Sequence, residues 1–139
     1  MLTYSKIIEK IIKEREKSKI LLSQNPLQKG FTENATPLLC ELFIEEFERE
    51  SKDLKLPVYI AMLDGKSAFD VVIHANLIRR LFQIGISKQS ILLLQNLYQN
   101  AKSYIKWNGQ ISEEFFIIEQ GVRQGGALSA DLYKVYGSL

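Results

Sequence analysis

The sequence predicts an α+β fold with helices packed on a small antiparallel sheet, and three observations predict it. Apolar residues recur at helical spacing over long stretches, as in Leu77, Ile78, Leu81 and Phe82. The period then changes to two across Ser103-Tyr104-Ile105-Lys106-Trp107-Asn108-Gly109-Gln110-Ile111-Ser112, where Asn-Gly supplies the positive φ values of a tight hairpin turn. A β-branched and aromatic run, Val58-Tyr59-Ile60-Ala61-Met62, leads into Leu63 and Asp64 and reads as a further strand.

The remaining elements follow in order. Residues 4–20 carry Ile7, Ile8, Ile11 and Ile12 on one stripe, with Lys and Glu on a solvated opposite side. Residues 23–32 are turn-rich and aperiodic, hence a loop. Thr36-Pro37 is a helix-start signal, a capping hydroxyl followed by Pro at the first helical position. That helix runs to about Ser51, with Leu38, Leu39, Leu42, Phe43 and Phe47 facing inward and Glu41, Glu45, Glu46, Glu48 and Glu50 outward. Cys40, within it, reads as a small buried thiol. A loop over 51–57 precedes the 58–63 strand. Helical spacing returns over 72–84 and stops at Gly85. A helix from about Ser87 to Asn100 presents Ile91, Leu92, Leu94, Leu97 and Tyr98. After the hairpin come a strand at Phe115–Ile118, a glycine-containing loop at Gln120–Gly126 and a helix from Leu128 to Leu139.

The bulk properties bound the function. A chain of 139 residues is one ordinary domain or part of a larger one, long enough to bury a core. Hydrophobic residues at 46% and charged residues at 24% argue against disorder. The net charge of +2 is too balanced to indicate nucleic-acid binding, so any basic surface must come from local clustering. A single cysteine excludes an internal disulfide. No apolar run approaches the roughly 18 to 20 residues that span a bilayer, and Met1–Lys6 opens no secretory signal. The expected setting is intracellular, nuclear or cytoplasmic, with no membrane partner.

Two segments carry candidate chemistry. Leu63-Asp64-Gly65-Lys66-Ser67-Ala68-Phe69-Asp70 puts a carboxylate at the end of an apolar run, a common way to offer an oxygen ligand to a divalent cation. An Asp-Gly turn or a helix N-cap accounts equally well for Asp64, and Asp70 reads as a surface or helix-start residue. Gly65-Lys66-Ser67 invites comparison with a phosphate-cradling loop, but Ile60 stands where that loop needs its first glycine. Gly121-Val122-Arg123-Gln124-Gly125-Gly126-Ala127-Leu128-Ser129 lets a backbone approach a planar base or a phosphate, although such glycine loops are often only structural. His74, the sole histidine, has no partners at ligand spacing and reads as a surface or helix-start residue rather than a catalytic one.

The order and separation of these segments, with two helices and an Asn-Gly hairpin between them, resembles the reverse transcriptases of non-long-terminal-repeat (LINE-like) retrotransposons from end to end. Leu63-Asp64 with Ala68-Phe69-Asp70 is similar to the family's first palm motif, and Gln120–Ser129 to its second. Gln28-Lys29-Gly30-Phe31-Thr32 is similar to its fingers segment. The resemblance implies a partial fingers and palm of a right-hand polymerase, with fingers-side helices over about 1–57 and palm over about 58–139. It implies that Asp64 coordinates both catalytic Mg²⁺ ions and is the catalytic carboxylate, with the Gly65 carbonyl completing part of one metal shell. Ser67 and Ala68 would lie against an incoming deoxynucleoside triphosphate, and Phe69 would exclude a ribose 2′-hydroxyl. Gln124 and Gly125 would sit near the nascent base pair, and the partners would be an RNA template and a DNA primer. No role is implied for Asp70.

The sequence departs from that pattern. Its aspartates are Asp53, Asp64, Asp70 and Asp131, so it lacks the family's Asp-Asp pair. Two Mg²⁺ ions about 3.5–4 Å apart cannot be satisfied by one carboxylate. The missing pair is expected beyond Leu139, a basic fingers segment before Met1, and the 139-residue chain alone is expected to be inactive. Ala130 stands where many members place Pro. A non-enzymatic alternative is a residual domain that binds nucleic acid or another protein, using Lys102, Lys106, Arg123, Tyr104 and Trp107, unless these aromatics only cover the hairpin. A sheet short of strands is expected to leave the 58–63 strand with an open edge and exposed apolar surface.

Overall fold

A computed structural model describes residues 3–137. The order is α1 (Thr3–Ser23), α2 (Pro37–Asp53), α3 (His74–Gln83), α4 (Lys88–Tyr98), β1 (Lys102–Trp107), β2 (Gln110–Ile117) and α5 (Ser129–Gly137). The fold is α+β: helices with one two-stranded antiparallel sheet. It divides into two units, one of residues 1–25 and 67–139, the other of residues 26–66.

The first unit holds the core. Helix α3 packs against α4 and α5, and α1 against α5. Leu77 and Leu81, one turn apart on α3, meet Ile91 and Leu94 of α4 and Leu132 of α5 in one cluster, each almost fully buried. Ser87 caps α4 by accepting the Ser90 N–H, and Gly85 follows α3 with φ +78°.

Helix α1 departs from its expected facing. Ile12 and Ile20 are buried, whereas Ile7 and Ile11 are exposed, and the inward line includes two carboxylates, Glu9 and Glu16. Glu16 is 1% exposed and is saturated by donors. It accepts hydrogen bonds from the hydroxyls of Ser87 at 2.6 Å and Ser90 at 2.8 Å, and pairs with the Lys19 ammonium at 2.8 Å. These partners, 71 and 74 residues away for the serines, make burial of an ion tolerable.

The hairpin closes at Asn108 and Gly109, with φ of 47° and 80°. Lys102 pairs with Ile117 and Trp107 with Gln110, with a bulge between Tyr104 and Lys106. There the Ser112 hydroxyl accepts the Ile105 N–H and donates to the Glu114 carbonyl. The expected separate strand at Phe115–Ile118 is the continuation of β2.

In the second unit Thr36 caps α2 as expected, its hydroxyl accepting the Leu39 N–H at 3.2 Å. Three expectations fail there. Residues 58–63 form no strand, and Tyr59, Met62 and Leu63 are more than 90% exposed. A strand exists only through its ladder, and the described strands, β1 and β2, pair with each other. The apolar residues of α2 from Leu38 to Phe47 are likewise exposed, and so is Cys40. Amphipathic spacing predicted a buried stripe, but no described element covers it.

Candidate functional site

The segment after Gly65 is a compact turn. Ser67 adopts φ 52°, and its carbonyl accepts the N–H groups of Asp70 at 2.8 Å and Val71 at 3.2 Å. This turn leads Val72, fully buried, into the core and presents Phe69 with its ring half-buried. The Phe69 ring lies 5.1 Å from that of Tyr133 on α5.

The loop 120–126 is fastened directly onto this turn. The Val122 N–H donates to the Phe69 carbonyl at 2.8 Å, and the Gly121 N–H to the Val72 carbonyl at 2.8 Å. Ile73 and Gln120 form an antiparallel bridge. The Gln124 amide donates to the Asp70 carboxylate at 3.3 Å. Gly121 is required at its place: φ is +93°, and a Cβ would sit 3.2 Å from the Cα and carbonyl oxygen of Asp70. His74, the first residue of α3, closes the join from the other side, its Nε2 donating to the Gly121 carbonyl at 2.8 Å.

The loop is held from behind as well. The Arg123 guanidinium donates to the Leu97 carbonyl at 2.6 Å, and the Ser129 hydroxyl donates to the Arg123 carbonyl. Buried Glu9 accepts the Leu128 N–H at the start of α5, where a helix N-terminus favours an anion. A Cβ on Gly126 would collide with Ser129 and Glu9. Tyr98 stacks near His74, its hydroxyl pushed up to about 12 by burial and by the Glu9 charge.

Of the expected site residues, Ser67, Ala68, Phe69, Gln124 and Gly125 therefore belong to one unit, where the backbone ladder brings their two segments together. Gln124 and Gly125 are exposed at the loop tip. Asp64 and Gly65 belong to the other unit and are exposed in a segment without regular structure. His74 starts α3 as expected, but sequence reasoning missed its tie to Gly121, and it missed Glu9 and Tyr133, whose roles depend on partners far along the chain. Arg123, expected among possible nucleic-acid contacts, is half-buried and donates to the Leu97 carbonyl.

The family resemblance implies a pair of Mg²⁺ ions. Among the described residues no three His, Cys, Asp or Glu side chains form a group able to hold a metal ion, and the Asp70 carboxylate takes up Gln124. Each Mg²⁺ demands a near-octahedral set of oxygens, so the described residues alone do not fit a two-ion site. A cavity of about 570 Å³ between α3 and α4, lined by His74, Leu92, Gln95, Asn96 and Tyr98 among others, contains none of the motif residues 64–70 and 120–126. Among the described residues no helix is long and apolar enough to cross a membrane.

Comparison with known proteins agrees with the joined motifs. The family described as reverse transcriptase (RNA-dependent DNA polymerase) matches residues 1–137. The Retrovirus-related Pol polyprotein from type-2 retrotransposable element R2DM of Drosophila melanogaster is 30% identical over 120 residues, which cover 82% of this chain and 11% of that protein. The Retrovirus-related Pol polyprotein from type-1 retrotransposable element R2 of Popillia japonica is 23% identical over 128 residues, covering 92% of this chain and 18% of that protein. The chain thus spans less than a fifth of the length of these relatives. No solved structure matches it significantly. With two motif loops laced together and nearly every residue matched, the chain belongs to the reverse transcriptase family, as a segment of the non-long-terminal-repeat retrotransposon kind.

Proposed function

We propose that this chain supplies the fingers-to-palm segment of an RNA-directed DNA polymerase acting on an RNA template and a DNA primer. The observation that carries the reading is the lacing of residues 69–73 to 120–122, which fixes two motif loops in one rigid frame. Residues of about 1–57 belong to the fingers side and those of about 58–139 to the palm. Ser67 and Ala68 face the triphosphate of the incoming deoxynucleotide. Phe69 excludes a 2′-hydroxyl, and its ring packing on Tyr133 supports a fixed position for that role. Gln124 and Gly125, exposed and backed by the Asp70 contact, lie near the nascent base pair.

Reverse transcriptases use divalent metal ions, and when bound these supply the charge that stabilises nucleotidyl transfer. Asp64 is the carboxylate we assign to them, with the Gly65 carbonyl beside it. The described donors do not fit two ions, which supports reading the 139-residue chain alone as inactive. Purified chain with Mg²⁺ or Mn²⁺ is expected to incorporate no deoxynucleotide on a primed RNA; incorporation abolished by Asp64→Asn would refute the inactivity. The functional reading is tested by transplanting residues 1–137 into the matched segment of an active R2-type relative. Retained primer extension, lost on Asp64→Asn, is the expected result. A well-folded but inactive chimera would count against the reading.

A second reading is favoured by the hairpin, where Trp107 is 76% exposed, Tyr104 is half-exposed and Lys106 is exposed. Such a surface suits stacking of single-stranded bases without any catalysis. Filter binding of single-stranded RNA over a salt series tests it, and absence of retention at low salt would reject it.

A further inference from the structure

Helix α1 buries two carboxylates two turns apart on one face, Glu9 at 2% and Glu16 at 1% exposure. Glu16 is met by an ammonium and two hydroxyls. Glu9 is not. Among the described residues no ion pair reaches it: Lys13, one turn on, goes to Asp131 at 2.8 Å, and Lys19 goes to Glu16. A buried carboxylate without a cation costs stability relative to an apolar side chain of similar size, so core packing does not account for Glu9. The donor it faces is the Leu128 N–H, 3.4 Å from Oε2, where the start of α5 favours an anion. The same oxygen lies 2.8 Å from where a Cβ on Gly126 would stand, so the loop backbone closes directly onto it. The Arg123 carbonyl accepts the Gly126 N–H at 3.1 Å, which makes 123–126 a turn with Gln124 and Gly125 at its tip. Glu9 therefore meets the loop immediately behind that tip.

We propose that Glu9 is a positioning residue for the 120–126 loop, its carboxylate holding Gly126 and Leu128 so that Gln124 and Gly125 keep one aim against the nascent base pair. Two successive glycines give the turn wide backbone freedom. The Gln124–Asp70 contact in front is exposed and 3.3 Å long, a weak restraint in competition with water. A buried acceptor at the far end of the turn is shielded from that competition. Glu9 touches no substrate in this scheme and acts through the loop. That the loop serves a base pair rests on the polymerase reading above; the hold of Glu9 on the loop does not.

Two variants separate positioning from packing. Glu9→Gln keeps an acceptor oxygen at the same reach, whereas Glu9→Leu keeps an apolar volume and removes the acceptor. In the chimera carrying residues 1–137, Glu9→Leu is expected to raise KM for the templated deoxynucleotide about tenfold, roughly the worth of one hydrogen bond, with kcat within about twofold. Glu9→Gln should stay within about threefold of the parent KM. A packing role would instead lower Tm and the active fraction and leave KM unchanged. Unchanged KM in Glu9→Leu, or an equal rise in Glu9→Gln, would overturn the proposal. Amide hydrogen exchange of the full 139-residue chain needs no activity. There the Gly126 and Leu128 N–H groups are expected to exchange faster in Glu9→Leu than in the parent or Glu9→Gln, with all three folded by circular dichroism. Equal exchange in all three would also overturn the proposal. A parent chimera without activity, alongside the expected exchange difference, would count against the polymerase reading alone.

Discussion

His74 on α3 donates from Nε2 to the carbonyl of Gly121, 47 residues further on, at 2.8 Å. That contact ties the helix leaving one polymerase motif to the first residues of the other. With the Phe69–Val122 and Val72–Gly121 hydrogen bonds it makes the two loops one structural object, so damage to either is expected to be felt by both.

Substitution of Gly121 tests the join. A Cβ there meets backbone atoms of Phe69 and Asp70 at 3.2 Å, at a φ of +93°, and backbone cannot step aside as a flexible side chain can. Gly121→Ala is expected to destabilise by about 2 to 4 kcal/mol. Gly125→Ala, with φ +73° but nothing within 4 Å, should lose only about 1 kcal/mol. Urea denaturation of the two variants gives the comparison; equal losses would contradict it.

Acid sensitivity should trace to Glu16. Burial works to raise its carboxyl, but hydrogen bonds from Lys19, Ser87 and Ser90 outweigh this and hold it at about 2, against an ordinary 4.5. A carboxyl depressed in the folded state stabilises the fold above about pH 4.5 and loses that contribution as pH falls toward 2. The contribution is on the order of 3 kcal/mol. Glu16→Gln should lower Tm at neutral pH and flatten its decline across this acid window, followed by circular dichroism.

Alkaline sensitivity should trace to Tyr98. Burial first, and then the Glu9 charge, raise its hydroxyl from 10 to about 12, only partly offset by Arg123. The folded state prefers the neutral phenol, so this stabilisation is complete below about pH 10 and is lost as pH rises through 12. Tyr98→Phe removes the titration, and its thermal stability should vary less between those pH values than that of the parent. An identical alkaline slope would contradict the assignment.

Limited proteolysis should separate the chain by exposure. Tyr59, Met62 and Leu63 lie more than 90% exposed in a segment without regular structure. Chymotrypsin at low ratio is expected to cut within 59–63 first, leaving the α3–α4–α5 core uncut. Early cleavage inside α4 would contradict the division of the chain.

Local signals made much of this fold legible. The Thr36 cap, the Gly85 stop and the Asn108-Gly109 turn are decided by residues within a few positions of each other, and all three lie where the sequence puts them. The two motif segments were legible as a pair from residue types and order. What the sequence hid depends on distant partners. Glu9 and Glu16 read as solvated charges because nothing near them announces the Leu128 N–H or the Ser87 and Ser90 hydroxyls. Val58–Leu63 reads as a strand by composition, but residue preference cannot provide the neighbour that a ladder needs. The apolar stripe of α2 was legible as a stripe, whereas whether anything covers it was not.

The unpaired run before Asp64 has a consequence for where that carboxylate can act. Among the described residues, 58–63 belong to no strand, helix or turn. Side chains on a strand alternate between faces, so pairing offset by one residue would turn Asp64 to the opposite side. Pairing of residues 58–63 with a further strand would therefore set, by its register alone, the face on which Asp64 stands.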